Sequence, residues 1–313
     1  MLSNFLVAVS AVLPMFVLIG IGMVVRKTGL IGKQENKRLN RMVFLVLFGP
    51  MTFYNIYHNP PHEALDVRLI GFAVAALLVS IVVMIPVSKR ITPSSKSCGS
   101  LIQAVYRSNL VMMGLPLAMH LCAPEDVAMT TILIAIIVPI YNASAVVILS
   151  AFSGNKPDLK SVLLKVAKNP LIIGSILGLA AVYAGIRLPA LVEEVVADMA
   201  GAAPTMGLII LGISFELADV RSCRRNLTYA VLGRLVVVPG IVLALAALLG
   251  FRGGDFVALI ACFSSPCSMS SYAMAEAMDC DGVLAGNSVI FTSLLSSFTM
   301  CFWIFLFKSL GMF

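Results

Sequence analysis

Apolar residues in this chain gather in long runs separated by polar breaks, and the runs predict the elements. Ten stand out, at 5–25, 39–57, 67–88, 100–121, 127–150, 161–184, 203–218, 227–249, 255–275 and 284–307. A run of about 20 apolar residues coiled as a helix spans the hydrocarbon core of a bilayer. The pattern therefore predicts an all-α membrane protein with ten transmembrane helices. The stretch 186–201 is amphipathic and acidic, and is expected to lie on the surface before the seventh span.

Composition supports lipid as the solvent. The chain has 313 residues, 60% of them hydrophobic and only 12% charged. Its mean hydropathy is +1.01. Soluble domains carry about 25% charge, and no soluble fold of this length could hide so much apolar surface. The first run is too long for a removable signal peptide, and its basic residues come after it instead of preceding it, so it reads as the first span. The seven cysteines form no CxxC pair, which argues against zinc or thiol-redox chemistry and for buried apolar filler.

The net charge of +7 alone would suggest nucleic acid, but its distribution says otherwise. Most of the 22 basic residues fall on one side of the predicted spans. They are Arg26, Lys27, Lys33, Lys37, Arg38 and Arg41 after span 1, and Lys89, Arg90 and Lys96 after span 3. Lys156, Lys160, Lys165 and Lys168 come after span 5, and Arg221, Arg224 and Arg225 after span 7. The opposite side holds Arg68, Arg187, Arg252 and Lys308, and gathers the acids Glu63, Asp66, Glu125, Asp126, Glu193, Glu194, Asp198 and Asp255. Basic loops stay in the cytoplasm. The expected location is thus the plasma membrane (a bacterial inner membrane), multi-pass, with both termini outside. The turn after span 9 departs from the pattern, carrying Glu276, Asp279 and Asp281 and no base. The charge is topological, and no nucleic-acid partner is expected.

Ten spans divide into five and five, with 1–155 as one half and 156–313 as the other. Because five is odd, a duplicated half must insert upside down, a common plan in secondary transporters. The fourth span of each half is interrupted. Span 4 contains Arg107-Ser108-Asn109 and Gly114-Leu115-Pro116, and span 9 contains Ser264-Ser265-Pro266-Cys267-Ser268. Proline removes a backbone donor and clashes with the carbonyl four residues back. In lipid such a break must face protein or a wet cavity. Two breaks placed equivalently would meet near the midplane, where half-helix N-termini favour an anion. The simpler reading is that both prolines only kink their helices.

The candidate substrate-binding residues are Asn109, Gly114, Pro116 and Arg107 in span 4, Ser265, Pro266 and Ser268 in span 9, and Asn142 in span 5. Asn109 can donate to a carboxylate without charging the cavity, or it can bond a neighbouring helix. Arg107, about 10–12 Å deep at 1.5 Å per residue, either meets an anion or snorkels to the headgroups. Arg234 lies at similar depth, and snorkelling or a structural pair is expected of it. Tyr141, Ser264, Ser270, Ser271, Thr292, Ser293, Ser296 and Ser297 are weaker candidates. Glu276 could titrate but is expected to be solvated. His58 and His62 are separated by Asn59-Pro60-Pro61, which forbids a helical metal pair. There is no catalytic triad, phosphate loop or metal cluster, so no enzyme is expected.

At these residues the chain resembles the auxin efflux carrier family of membrane transporters, whose members include plant auxin carriers and bacterial carriers associated with malate or malonate. The stretch Asn109-x4-Gly114-x-Pro116 is similar to that family's fourth-span motif. Lys168-Asn169-Pro170, Gly212-Ile213-Ser214 and Ser264-Ser265-Pro266 extend the likeness over nearly the whole chain. The resemblance implies a fold like that of bile-acid and sodium–proton carriers. Spans 4 and 9 would cross as broken helices in a transport domain of spans 3–5 and 8–10. Spans 1, 2, 6 and 7 would form a scaffold and a homodimer contact. It implies secondary active or facilitated transport, by alternating access in an elevator-like or rocking shift, of small mono- or dicarboxylates such as malonate or malate, or of auxin-like acids; no cofactor is expected, and coupling to H+ or Na+ or uniport is left open. A non-anionic substrate on the same fold, or a channel or sensor, are the alternative readings.

Overall fold

The computed structural model describes residues 2–58, 66–154, 164 and 166–313. Pro60, Pro61, His62, Glu63, Lys156, Lys160, Lys165 and the boundary between the two halves lie outside the described residues, as does the side chain of Glu125. The described chain is nearly all helical. In order the helices are α1 Leu2–Lys27, α2 Lys33–Val46, α3 Phe48–Tyr57, α4 Val67–Ile91, α5 Ser95–Tyr106, α6 Leu115–Leu121 and α7 Pro124–Phe152. Next come α8 Pro170–Tyr183, α9 Ala190–Ser214, α10 Leu217–Leu232, α11 Val238–Leu248, α12 Gly253–Ser264, α13 Ser270–Ala277 and α14 Gly282–Ser309. Several starts carry ordinary polar caps. Asp66 accepts from the N–H groups of Arg68 and Leu69, Asn169 from Leu171, and Asp281 from Leu284, satisfying donors the first turn leaves free. Among the described residues five helices are long and apolar enough to cross a membrane: Val67–Ile91, Asp126–Phe152, Ala190–Ser214, Asp219–Leu248 and Gly282–Ser309.

One expectation is corrected in part. The acidic stretch 186–201 is largely exposed, as expected, but it does not precede the seventh spanning helix, because α9 begins at Ala190 and continues unbroken to Ser214. Its amphipathic start is the exposed end of a helix whose later residues, Ala203, Pro204 and Leu208, are buried.

Proline acts in two ways. A π turn at Leu110–Gly114 precedes Pro116, and another at Gly233–Val237 precedes Pro239. Widening the helix by one residue per turn accommodates a ring that would clash with the carbonyl four residues back. Pro239 leaves Leu235 O without its usual helical donor, and the indole N–H of Trp303 donates to it at 2.9 Å. In span 9 the chain instead unwinds between α12 and α13, around Pro266.

Packing rests on close backbone approach. The two most extensive contacts run between α1 and α9 and between α3 and α8, with α9 also lying along α3 and α2. Glycines sit at both crossings. A Cβ on Gly22 would collide with Ile209 O, and one on Gly212 with Ile19 O. A Cβ on Gly174 would collide with Gly49 O. Between membrane helices burial of apolar surface gives no drive, so small residues that bring backbones together carry association. Gly22→Ala and Gly174→Ala should each lower stability by about 1–3 kcal/mol, as overpacking does. Gly20→Ala, with nothing within 4 Å of its added carbon, should leave the melting temperature in detergent unchanged. Equal melting of the Gly20 and Gly22 variants would show that close approach does not hold α1 on α9.

Candidate functional site

The breaks in spans 4 and 9 meet. Ser108 and Cys267 form an antiparallel bridge. Asn109 N–H donates to Pro266 O at 2.8 Å, and Ser268 N–H donates to Arg107 O at 3.3 Å. Cys267 N–H donates to the Thr292 hydroxyl at 3.0 Å. Each unwound segment thus serves the other's backbone groups, as a broken helix away from water requires. The unwound residues of span 4 are 107–109. They lie well before Pro116, whose strain the π turn absorbs.

Arg234 makes this crossing tenable. Nε donates to Ser265 O at 2.8 Å, one terminal nitrogen to Val105 O and Tyr106 O at 3.1 and 3.2 Å, and the other to Cys262 O and Phe263 O at 3.1 and 3.0 Å. Those carbonyls are the C-terminal ends of α5 and α12, left free by the breaks and carrying partial negative charge. The side chain is fully buried, which excludes snorkelling. It is structural, with carbonyls for partners and, among the described residues, no acid.

Arg107 is different. It is 3% exposed, so it too stays inside. Its guanidinium donates to Asn142 Oδ1 and to the sulfur of Met274, both at 2.6 Å. A guanidinium has five N–H donors, and a thioether is a poor acceptor. Among the described residues no carboxylate lies within ion-pair distance of it. Beside it, the side-chain Nδ2 of Asn109 is buried with no hydrogen-bond partner among the described residues. Both residues face a cavity of about 60 Å³, room for a few water molecules. Arg107, Ser108, Asn109, Asn142, Tyr141, Ser268 and Ser270 form its polar side, and Met51, Leu110, Val111, Met112, Val138 and Leu171 its apolar side. Its lining reaches from the crossing along α3 as far as Asn55 and to Leu171 at the start of α8.

The sequence-predicted residues therefore separate into two groups. Arg107, Asn109, Asn142 and Ser268 line the cavity. The other four support it. Gly114 lets the π turn lie on α12, since a Cβ there would meet Ala261 O at 2.8 Å. Pro116 sits in the first turn of α6. Ser265 donates to Ala261 O and lends its carbonyl to Arg234, and Pro266 lends its carbonyl to Asn109. Sequence reasoning missed Thr52, Asn55, Ser108 and Met274. Ser108 stands directly between Arg107 and Asn109, a signal that could have found it, and its hydroxyl pairs with Tyr141 at 3.0 Å. Glu276 is not simply solvated but pairs with Lys37 at 3.8 Å. His58 bonds Glu193 at 2.9 Å. Among the described residues no cluster of three metal-ligating side chains occurs.

Removing Arg234 would orphan five carbonyls, each costing about 1–3 kcal/mol when buried unpaired. Arg234→Met should abolish the folded protein in detergent. Arg234→Lys, with three donors, should melt lower than the native chain but remain folded. A native-like melting temperature for Arg234→Met would show that the carbonyls find other partners.

The sequence profile of the membrane transport protein family matches residues 7–159 and 155–304. An uncharacterized transporter of Methanocaldococcus jannaschii is 22% identical over 311 residues, covering 95% of this chain and 98% of that protein. An uncharacterized transporter of Methanothermobacter thermautotrophicus is 22% identical over 303 residues, covering 96% and 98%. The matched segments cover the crossing, the glycine contacts and the cavity together, and the chain belongs to the membrane transport protein family of auxin-efflux-carrier-type, multi-pass membrane transporters.

Proposed function

We propose that this chain is a secondary carrier of small organic anions, mono- or dicarboxylates, which bind at the crossing of spans 4 and 9. One observation carries the reading. A buried guanidinium without an acid partner, Arg107, shares a cavity with the unpartnered amide of Asn109. A buried charge is costly in a membrane unless it faces a partner or a cavity, and a carboxylate can accept from both groups at once. The lining carries no acidic side chain among the described residues, which favours an anion over a cation.

The packing supports ten spans in two inverted repeats: α1, α2–α3, α4, α5–α6 and α7, then α8, α9, α10–α11, α12–α13 and α14. Span 1 lies on span 7 as span 2 lies on span 6, a pairing that a duplicated half produces. The same glycine-lined contacts suit spans 1, 2, 6 and 7 as a scaffold, with spans 3–5 and 8–10 as the moving part. The basic ends of α1 and α4 and the basic residues of α10 support a cytoplasmic basic end, outside termini and a plasma-membrane location.

Purified protein in lipid vesicles should take up labelled short organic acids, malonate and malate among them, in a saturable manner. Asn109→Ala and Arg107→Gln should each reduce that uptake by tenfold or more, equivalent to losing about 1.4 kcal/mol of binding or more. Native uptake of every acid tested by both variants would place the site elsewhere, and ohmic anion currents without saturation would make the protein a channel.

A further inference from the structure

The cavity lining reaches along α3 as far as Asn55, and past the crossing the half-helix α13 is held against α2. That contact is polar and incomplete. Asn36 and Asn40 lie one helical turn apart on α2, 3% and 2% exposed. Asn40 Nδ2 donates to Ala273 O of α13 at 3.3 Å. Asn36 Nδ2 donates to Ile210 O at 3.2 Å and to the Ser214 hydroxyl at 2.7 Å. Ser214 in turn shares a hydrogen bond with the Tyr272 hydroxyl of α13. Between the two asparagines, Lys37 reaches Glu276 at the far end of α13.

The side-chain carbonyls of Asn36 and Asn40 are buried with no hydrogen-bond partner among the described residues. Two amides that could each accept further bonds accept none, although a buried unmet acceptor is costly. A permanent core contact would be expected to fill them or to replace them with apolar side chains. An edge that alternates between two partners has reason to remain half-filled. Its place in the fold agrees. Ser270, at the start of α13, lines the cavity, while Tyr272, Ala273 and Glu276 continue the same half-helix away from it.

We propose that this seam is the gate at the basic, cytoplasmic end of the carrier. Asn40 and Lys37 hold α13 directly and Asn36 holds it through Ser214 and Tyr272, and they release it when the site opens inward. The proposal rests on the carrier reading, since a gate has meaning only where the site changes sides. Its test is therefore an accessibility measurement that needs no substrate.

A cysteine replacing Ala273 sits behind the seam, and one replacing Met112, which is 40% exposed, lines the cavity. Each is labelled with a membrane-impermeant maleimide applied from its own side of sealed vesicles, over the background of the seven native cysteines. Adding Lys37→Glu with Asn40→Ala should raise labelling at 273 at least fivefold and lower labelling at 112. Unchanged rates at both positions, or rates rising together, overturn the gate. A second arm replaces Lys37 and Glu276 by cysteines in otherwise native protein and joins them with a short bifunctional reagent. Bridged protein should lose uptake, and with Met112→Cys added it should keep that position labelled. Full uptake after bridging, or loss of labelling at 112, overturns the gate. If the native chain moves no acid at all, the carrier reading fails while the labelling arm still decides whether the seam opens.

Discussion

Five carbonyl oxygens at the ends of two interrupted helices converge on the guanidinium of Arg234, and the rest of the centre depends on that convergence. Interrupting a helix in an apolar surrounding exposes carbonyls that no water can satisfy. One planar group with five donors meets them together, and its positive charge offsets the negative ends of α5 and α12. With the C-terminal ends closed in this way, the unwound segments can bridge each other at Ser108 and Cys267. Arg107 and Asn109 are then left to face the cavity and not to repair backbone.

The molecule uses two kinds of helix contact, and they differ in chemistry. Where α1 meets α9 and α3 meets α8, glycines remove the side chain and backbones touch. Such contacts are dense and leave nothing to slide. Where α2 meets α13, the polar contacts are the Asn40 amide on the Ala273 carbonyl and the Lys37–Glu276 ion pair, with two asparagine acceptors on α2 unfilled. Hydrogen bonds between membrane helices are individually weak, about 0.6 kcal/mol on average. A seam made of them is easier to open than a glycine crossing.

Much of the architecture was legible in the apolar runs, because lipid allows only long helices and the runs mark them directly. The run at 67–88 became Val67–Ile91 and that at 284–307 became Gly282–Ser309. What the runs could not give was where a span bends. Pro116 marked the fourth span as interrupted, yet the unwinding fell at residues 107–109 while a π turn took up the ring. The stretch 186–201 looked separable because its acids are exposed, but its residues 190–201 belong to one continuous helix that ends at Ser214. Asn109, Asn142 and Ser268 were readable as polar residues in apolar surroundings. Arg234 was not readable as a cap, because its partners are carbonyls of distant residues, and carbonyls carry no sequence signature.

Arg107 also has a consequence on the scale of the whole membrane. It is a positive charge held inside the bundle whose side-chain hydrogen-bond partners, among the described residues, are an amide and a thioether. A charge carried across the membrane field changes energy by about 2.3 kcal/mol per 100 mV. In a carrier whose site crosses that field, Arg107 adds one charge to the movement of the empty protein, and a bound monoanion cancels it. On the proposed carrier reading, voltage acts differently on the empty and the occupied protein and biases the side of the membrane on which an unoccupied site waits.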